Sequence, residues 1–299
     1  MRSVRNFLRR KWYRVFSVLL GVDLFLLAPL SFGQTVPFGL CPKYNPRIMY
    51  QLYQPFVDYL SEKTPYRFEI KLSRVYQETI DRMGRGETMI GSCGPVPYIM
   101  AREKYKAKAI VRALSKDGKP FYRGIIFVRK DSPIQKLTDL KGRSFAFGQE
   151  WSTAGHILPE YHLLQANIRV KDLKHYSFLR HHDSVVNAVL KGQFDAGAVK
   201  DIVAYQHEKE GLRFIYVTDP LPTVPIIARD DAPRNLVESV KAVLLKINPK
   251  DPADQKSMAQ WDEEFKYGFT EAPDSDYDPI RKILRVIGKF PETKGRVQN

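Results

Sequence analysis

Phe147-Gly148-Gln149-Glu150-Trp151-Ser152-Thr153-Ala154-Gly155-His156-Ile157-Leu158-Pro159 is the stretch on which the reading of this chain turns. The run before it, Arg143 to Phe147, is short and apolar and reads as a buried strand. After it, Ile157, Tyr161, Leu163 and Leu164 recur at roughly helical spacing. A strand that enters a helix through two adjacent hydroxyls, Ala154 and Gly155 leaves backbone N–H groups without partners at the helix start. Those donors, the positive end of the helix dipole and the hydroxyls of Ser152 and Thr153 make a seat for an anion. The same residues also fit a plainer role, in which Ser152 or Thr153 only caps the helix.

Working outward, the N-terminal side reads as strands over Val36 to Leu40, Phe68 to Leu72, Thr88 to Ser92 and Ile110 to Leu114, with helices starting near Pro46, Tyr76 and Tyr98. After the polar turn Lys116–Pro120, the β-rich run Tyr122 to Arg129 suits a strand crossing between two lobes. On the far side, Lys174 to Leu179, Phe194 to Val199 and Phe214 to Val217 read as strands, and helices follow His182-Asp183 and Lys200-Asp201. The proline-rich span Pro220 to Pro225 cannot be a central strand and reads as a return linker. Ile226 to Ala228 pairs back into the first lobe, and Arg234 to Ile247 and Asp278 to Ile287 are mainly helical. Strands alternating with helices argue for an α/β architecture with largely parallel sheets. Two crossings make a hinge, hence a two-lobed chain, with 34–120 plus 225–299 as one lobe and 121–224 as the other. Ligands of such sheets bind beyond the carboxyl ends of the strands, which puts Ser152, Thr153, His182 and Asp201 at one rim. In that setting the anion seat is the favoured reading.

The 299 residues carry a formal net charge of +15. Six basic residues and one acidic one fall within residues 1–33, so the remainder keeps +10. Such an excess favours anionic partners through its long-range field. A nucleic acid is not the expected partner, because no basic helix with base-reading residues and no aromatic RNA-binding signature occurs. Residues 1–33 read as a signal peptide: Arg2, Arg5, Arg9, Arg10, Lys11 and Arg14 precede the apolar Val15 to Leu27, interrupted by Asp23. Ser31-Phe32-Gly33 offers small residues for cleavage after Gly33, an uncleaved anchor being the alternative. Export places the chain in an oxidising compartment, the periplasm. There Cys41 and Cys93, each ending a strand, bridge if those strands are parallel neighbours, and otherwise stay as two unpaired small residues.

The motifs resemble those of the phosphonate/phosphite-type substrate-binding proteins of ABC transporters, which have the type II periplasmic-binding fold. Phe147-Gly148 with Ser152-Thr153-Ala154-Gly155 and Pro159-Glu160-Tyr161 is similar to that family's Ser-Thr-Ser-Gly loop and Pro-Gly-Tyr helix, with Ala154 in place of a third hydroxyl. Asp117-Gly118-Lys119-Pro120-Phe121-Tyr122 resembles its crossing strand. His182-Asp183 with Asn187-Ala188 resembles its His-Glu…Asn-Ala segment, and Asp195-Ala196-Gly197-Ala198-Val199 the strand leading to a ligand-facing carboxylate. The resemblance implies Tyr76, Tyr122, Ser152, Thr153, Ala154, His182 and Asp201 as ligand-binding residues, the last located within one residue. It also implies an ABC permease as partner. Aminoalkylphosphonate binders of the family carry a second carboxylate where this chain has Val224. A small phosphorus oxyanion without an amine (phosphite, methylphosphonate or phosphate) is therefore expected, with Asp201 accepting a P–OH hydrogen bond.

Plainer readings stand beside these. Tyr76 and Tyr122 also fit as packed aromatics, and Asp201 as a helix cap. Ser152, His182 and Asp201 hold the atoms of a hydrolase triad, but no Gly-x-Ser-x-Gly elbow accompanies them, so an enzyme is not expected. His181, His182 and Asp183 are adjacent, which suits a tetrahedral metal poorly, and neither metal nor cofactor is expected. The expectation is a monomeric extracytoplasmic binding protein for an ABC importer. A membrane-tethered sensory protein of the same fold is the alternative.

Overall fold

A computed structural model of the chain describes residues 33–291 and sorts the alternation into two sheets. The proposed signal segment lies, but for Gly33, outside the described residues. The first half runs β1 (Thr35–Leu40), α1 (Pro46–Lys63), β2 (Arg67–Leu72), α2 (Tyr76–Gly84), β3 (Ile90–Ser92), α3 (Pro95–Tyr105) and β4 (Lys108–Ala113). The Asn45 side chain starts α1 by accepting the Ile48 N–H at 3.2 Å. Met49, Tyr53, Phe56, Val57 and Leu60, spaced for one helical face, are buried.

The chain then crosses through β5 (Phe121–Tyr122) into β6 (Gly124–Arg129), β7 (Ser144–Phe147), α4 (Leu158–Gln165), β8 (His175–Phe178), α5 (His182–Leu190), β9 (Ala196–Lys200), α6 (Asp201–His207) and β10 (Leu212–Val217). It returns through β11 (Leu221–Pro222) to β12 (Pro225–Ala228), α7 (Arg234–Lys246), α8 (Pro252–Met258), β13 (Phe269–Glu271) and α9 (Asp278–Val286). The first sheet has the order β13-β4-β12-β3-β1-β2 and the second β10-β6-β9-β7-β8. Each sheet is mixed: β12 runs antiparallel to β3 and β4, and β6 antiparallel to β9 and β10. In each sheet the strand that enters from the other half runs against its neighbours.

The crossings lie side by side as a two-residue ribbon pairing β5 with β11. Prolines at 220, 222 and 225 withhold N–H donors, so the pairing cannot extend. The Arg123 guanidinium donates to the Thr218 carbonyl at 2.5 Å and the Thr223 hydroxyl to the Ala113 carbonyl at 2.5 Å, tying the two passages together.

Two packing arrangements position the site. β1 and β3 are parallel neighbours with Gly39 opposite Gly91. A Cβ on Gly91 would stand 2.5 Å from the Gly39 carbonyl oxygen, so only glycine permits this approach. One residue beyond the strand ends, Cys41 and Cys93 form a disulfide, their Cα atoms 5.2 Å apart. The second arrangement is aromatic. Phe56 of α1 packs against Trp261 and Phe265, with ring centroids 5.1 and 4.7 Å away. These anchors hold the segment between α8 and β13 against α1, and Asp262 and Glu264, interleaved with them, are buried alongside. Sequence periodicity did not mark β13, whose three residues on the edge beside β4 are too few to show a pattern.

Candidate functional site

Between the halves lies a cavity of about 50 Å3. One water needs roughly 10–15 Å3 of such space, so the cavity suits a guest of a few heavy atoms. β7 ends at Phe147, and the chain folds back so that the Gly148 N–H donates to the Gly155 carbonyl at 2.8 Å. A Cβ on Gly155 would meet the Gly148 Cα at 3.0 Å, so the hairpin-like return is too tight for a larger residue. Ser152 and Thr153 then stand at the start of a single wide helical turn, Thr153–Ile157, that runs into α4.

Ser152 caps the turn and also faces the cavity. Its Oγ caps the turn by accepting the Gly155 N–H at 3.1 Å, and the residue lines the cavity. Thr153 Oγ1 accepts the Val96 N–H of α3 at 2.9 Å, reaching across to the other half. As acceptors from backbone amides, both hydroxyls keep their own protons to donate. The Gly155 amide, expected to face a guest, is taken by Ser152 instead.

Tyr76, Tyr122, Ala154 and His182 also line this cavity. Burial raises the pKa of Tyr76 and Tyr122, keeping both phenols protonated and able to donate, with Ser152 beside the first and Thr153 beside the second. His182 opens α5, and its backbone N–H donates to the Lys43 carbonyl at 3.1 Å, a bond between halves. Burial first, then the charges of Lys43, Lys200 and His181, pull the His182 imidazole down to about 3. The ring is therefore neutral at physiological pH, and its Nδ1 has no hydrogen-bond partner among the described residues. Gln149 adds another tie, accepting the Tyr76 N–H at 2.9 Å and donating to the Arg74 carbonyl at 3.3 Å. These bonds tie the two halves together around the cavity.

Asp201 lies elsewhere. Its carboxylate accepts the Arg123 N–H at 2.7 Å and the Ile202 N–H at 2.8 Å, so from the first position of α6 it holds an N–H of that helix and pins the crossing strand. It borders an outer groove of about 500 Å3 and not the inner cavity. β9 ends at Lys200, and one step along a strand turns a side chain to the opposite face. That step puts Lys200, not the carboxylate, into the cavity wall. Val224 is in the wall as well, an apolar surface where a second carboxylate was the alternative.

Sequence reasoning missed Lys43, Tyr53 and Glu264, which complete the wall. Lys43 Nζ donates to Asp262 at 2.5 Å and to Glu264 Oε2 at 3.3 Å, while Lys200 Nζ donates to Glu264 Oε1. Burial opposes the Lys43 charge, but Asp262, with Tyr44 and Tyr53 behind it, holds its pKa well above the ordinary lysine value. Burial first and the Lys43 charge second lower Lys200 to about 7, against the pull of Asp201 and Asp262. Lys43 had a positional signal, since it follows the carboxyl end of β1. Glu264 had only its place among the aromatics of Trp261-Asp262-Glu263-Glu264-Phe265.

The hydrolase constellation is not assembled: among the described residues no hydrogen bond joins Ser152, His182 and Asp201. Among the same residues, no group of three or more His, Cys, Asp and Glu side chains is placed to hold a metal ion. No helix there is long and apolar enough to cross a membrane.

The model of one protein family, the phosphonate ABC transporter periplasmic substrate-binding proteins, matches residues 38–277. The phosphate-import protein PhnD of Mycolicibacterium smegmatis is 22% identical over 280 residues, spanning 86% of this chain and 87% of that one. A probable ABC transporter phosphite-binding protein of Prochlorococcus marinus, PhnD1, is 25% identical over 187 residues, 56% of this chain and 62% of its own. Among solved structures, PhnD1 of Prochlorococcus marinus in complex with methylphosphonate superposes with a TM-score of 0.77 at 22% identity, covering 86% of this chain and 99% of that one. A binding component of a phosphonate ABC transporter from Pseudomonas aeruginosa gives 0.76 at 21% identity, covering 84% and 85%. With two sheets joined by two crossings and a family match over most of its length, the chain belongs to the phosphonate-type periplasmic substrate-binding proteins of ABC transporters.

Proposed function

We propose that this substrate-binding protein captures a small tetrahedral phosphorus oxyanion, of the phosphite, methylphosphonate or phosphate kind, and delivers it to a membrane permease. The observation that carries the reading is the pair Ser152–Thr153. Both oxygens accept backbone N–H bonds, each hydroxyl keeps a proton it can donate, and both residues line a 50 Å3 cavity between the halves. Thr153 and Ala154, first in their turn, have no intrahelical acceptor for their amides and add two further donors. Tyr76, Tyr122 and neutral His182 supply the remaining hydrogen bonds. Closure excludes water and strengthens each of them.

Residues 34–120 with 225–299 form one lobe in this reading and 121–224 the other, hinged at the β5–β11 ribbon. Residues 1–33 direct export, and the exported chain works as a monomer by binding and release, without turnover. Val224 offers no partner to an ammonium group, so aminoalkylphosphonates bind more weakly than methylphosphonate. Calorimetric titration with phosphite, methylphosphonate, phosphate and 2-aminoethylphosphonate tests this. Saturable binding of one of the first three supports it, and heat from none of them refutes it.

A further inference from the structure

The wall of the inner cavity carries an ion-pair chain that oxyanion capture as read above does not use. Glu264 has both carboxylate oxygens engaged: Oε1 by Lys200, Oε2 by Lys43 and, at 3.4 Å, by the Tyr53 hydroxyl. All four residues line the cavity. The chain also links the two halves, because Lys200 ends β9 of the second sheet while Glu264 belongs to the segment packed on α1. Lys200, Glu264 and Tyr122 are at the same time shared with the outer 500 Å3 groove, so the pair forms the partition between the two spaces.

Two consequences follow from simple chemistry. An ammonium has three protons, and Glu264 is the sole hydrogen-bond partner of Lys200 Nζ among the described residues. Lys200, seated over the Tyr122 ring at 4.4 Å, thus keeps donors for a guest in the cavity. A guest bearing a P–OH, conversely, needs an acceptor. Asp201 is outside the cavity and Glu264 is already held by two ammoniums and a phenol, so neutral His182, its Nδ1 without a partner among the described residues, is the acceptor a P–OH would meet.

We infer that Lys200 is a specificity-determining residue, through which the cavity selects a doubly charged, fully ionised tetrahedral oxyanion over a singly charged one of the same shape. This rests on oxyanion binding as proposed above and reverses the protonation preference that a carboxylate at Asp201 implied. Glu264 serves as the tether that holds the ammonium in place across the cleft. The groups facing Lys200 are Glu264, Lys43 and Asp262 from the first half, Tyr122 from the crossing strand, and His182 and Asp201 from the starts of α5 and α6. Burial first and the Lys43 charge second bring the Lys200 pKa to about 7, against Asp201 and Asp262, and a bound dianion draws it to the charged form.

Methylphosphonate and methanesulfonate are the discriminating probes. They are nearly isosteric, but the first loses a second proton near neutral pH and the second carries one charge throughout. Calorimetry at neutral pH is expected to show methylphosphonate bound at least about tenfold more tightly, as one charge-assisted hydrogen bond implies. In Lys200→Met the ratio is expected to fall by about tenfold. The double variant Lys200→Met/Glu264→Gln, which also removes the carboxylate left with a single lysine, should show the same collapse. Equal affinities in the wild type, or an unchanged ratio in either variant, would overturn the assignment to Lys200 while leaving oxyanion capture intact. A wild type that binds neither methylphosphonate nor any other phosphorus oxyanion would overturn oxyanion capture, and this inference with it.

Discussion

Acid should unfold this protein through His182. Its imidazole is buried, lies near Lys43, Lys200 and His181, and titrates at about 3 in the folded chain, whereas an unfolded histidine titrates near 6.5. Between those values the unfolded chain binds the extra proton, so stability rises with pH there and is lost as pH falls below about 6.5. Each pH unit in that window costs up to about 1.4 kcal/mol, so lowering the pH from 7 to 4 removes about 3 kcal/mol from this one group. Such a loss is a large part of a typical folding free energy of 5–15 kcal/mol. Buried carboxylates lose stability with acid as well, so the test is a difference. Urea unfolding of the wild type and His182→Gln is to be followed at pH 7, 6, 5 and 4 in buffers without oxyanions. Glutamine keeps an amide of comparable reach and cannot take the proton. The stability of the wild type relative to the variant should fall by about 3 kcal/mol across the series. Parallel curves, with a constant gap at all four pH values, would refute the burial and charge argument.

Ser152→Ala removes a donor to a charged guest and should weaken oxyanion binding by about 1–2 kcal/mol, read by calorimetry, with the melting temperature lowered only by loss of the cap. Reducing Cys41–Cys93, which closes a 52-residue separation, should cost about 4 kcal/mol on loop entropy. A melting temperature unmoved by dithiothreitol under conditions where both thiols react would contradict that. Lys43→Met leaves Asp262 and Glu264 facing Lys200 alone, and breaking a buried pair in this way should destabilise the fold by about 3–5 kcal/mol. Restoring stability by adding Asp262→Asn to Lys43→Met would confirm that the loss comes from an uncompensated charge.

The two halves meet through bonds that are individually modest. Thr153 to Val96, Gln149 to Tyr76 and His182 to Lys43 each join backbone to a group of the opposite half. In the hinged reading proposed above, a guest that hydrogen-bonds to both halves favours closure by no more than its differential affinity for the two states.

The local order of strands and helices was legible in the chain because burial imposes its period on residues close in sequence. Val36 to Leu40, the alternating Phe68 to Leu72, the proline-barred return at 220–225 and the Ser152–Thr153 helix start all follow from such short-range rules. So did the possibility of a Cys41–Cys93 bridge, though only the Gly39–Gly91 approach decides it. That Tyr76, Tyr122 and Ala154 line the inner cavity was legible only through a resemblance, because tyrosine packs in cores as readily as it lines cavities, whereas His182 had its place beyond a strand end. What tertiary structure alone decided was the charge of the cavity wall. Lys43, Lys200 and Glu264 come from segments up to 221 residues apart. Their meeting depends on Trp261 and Phe265 packing against Phe56, and on a one-residue alternation at the end of β9. Electrostatic pairs over such separations leave no periodic trace in a sequence, since the attraction acts through space that only the folded core defines.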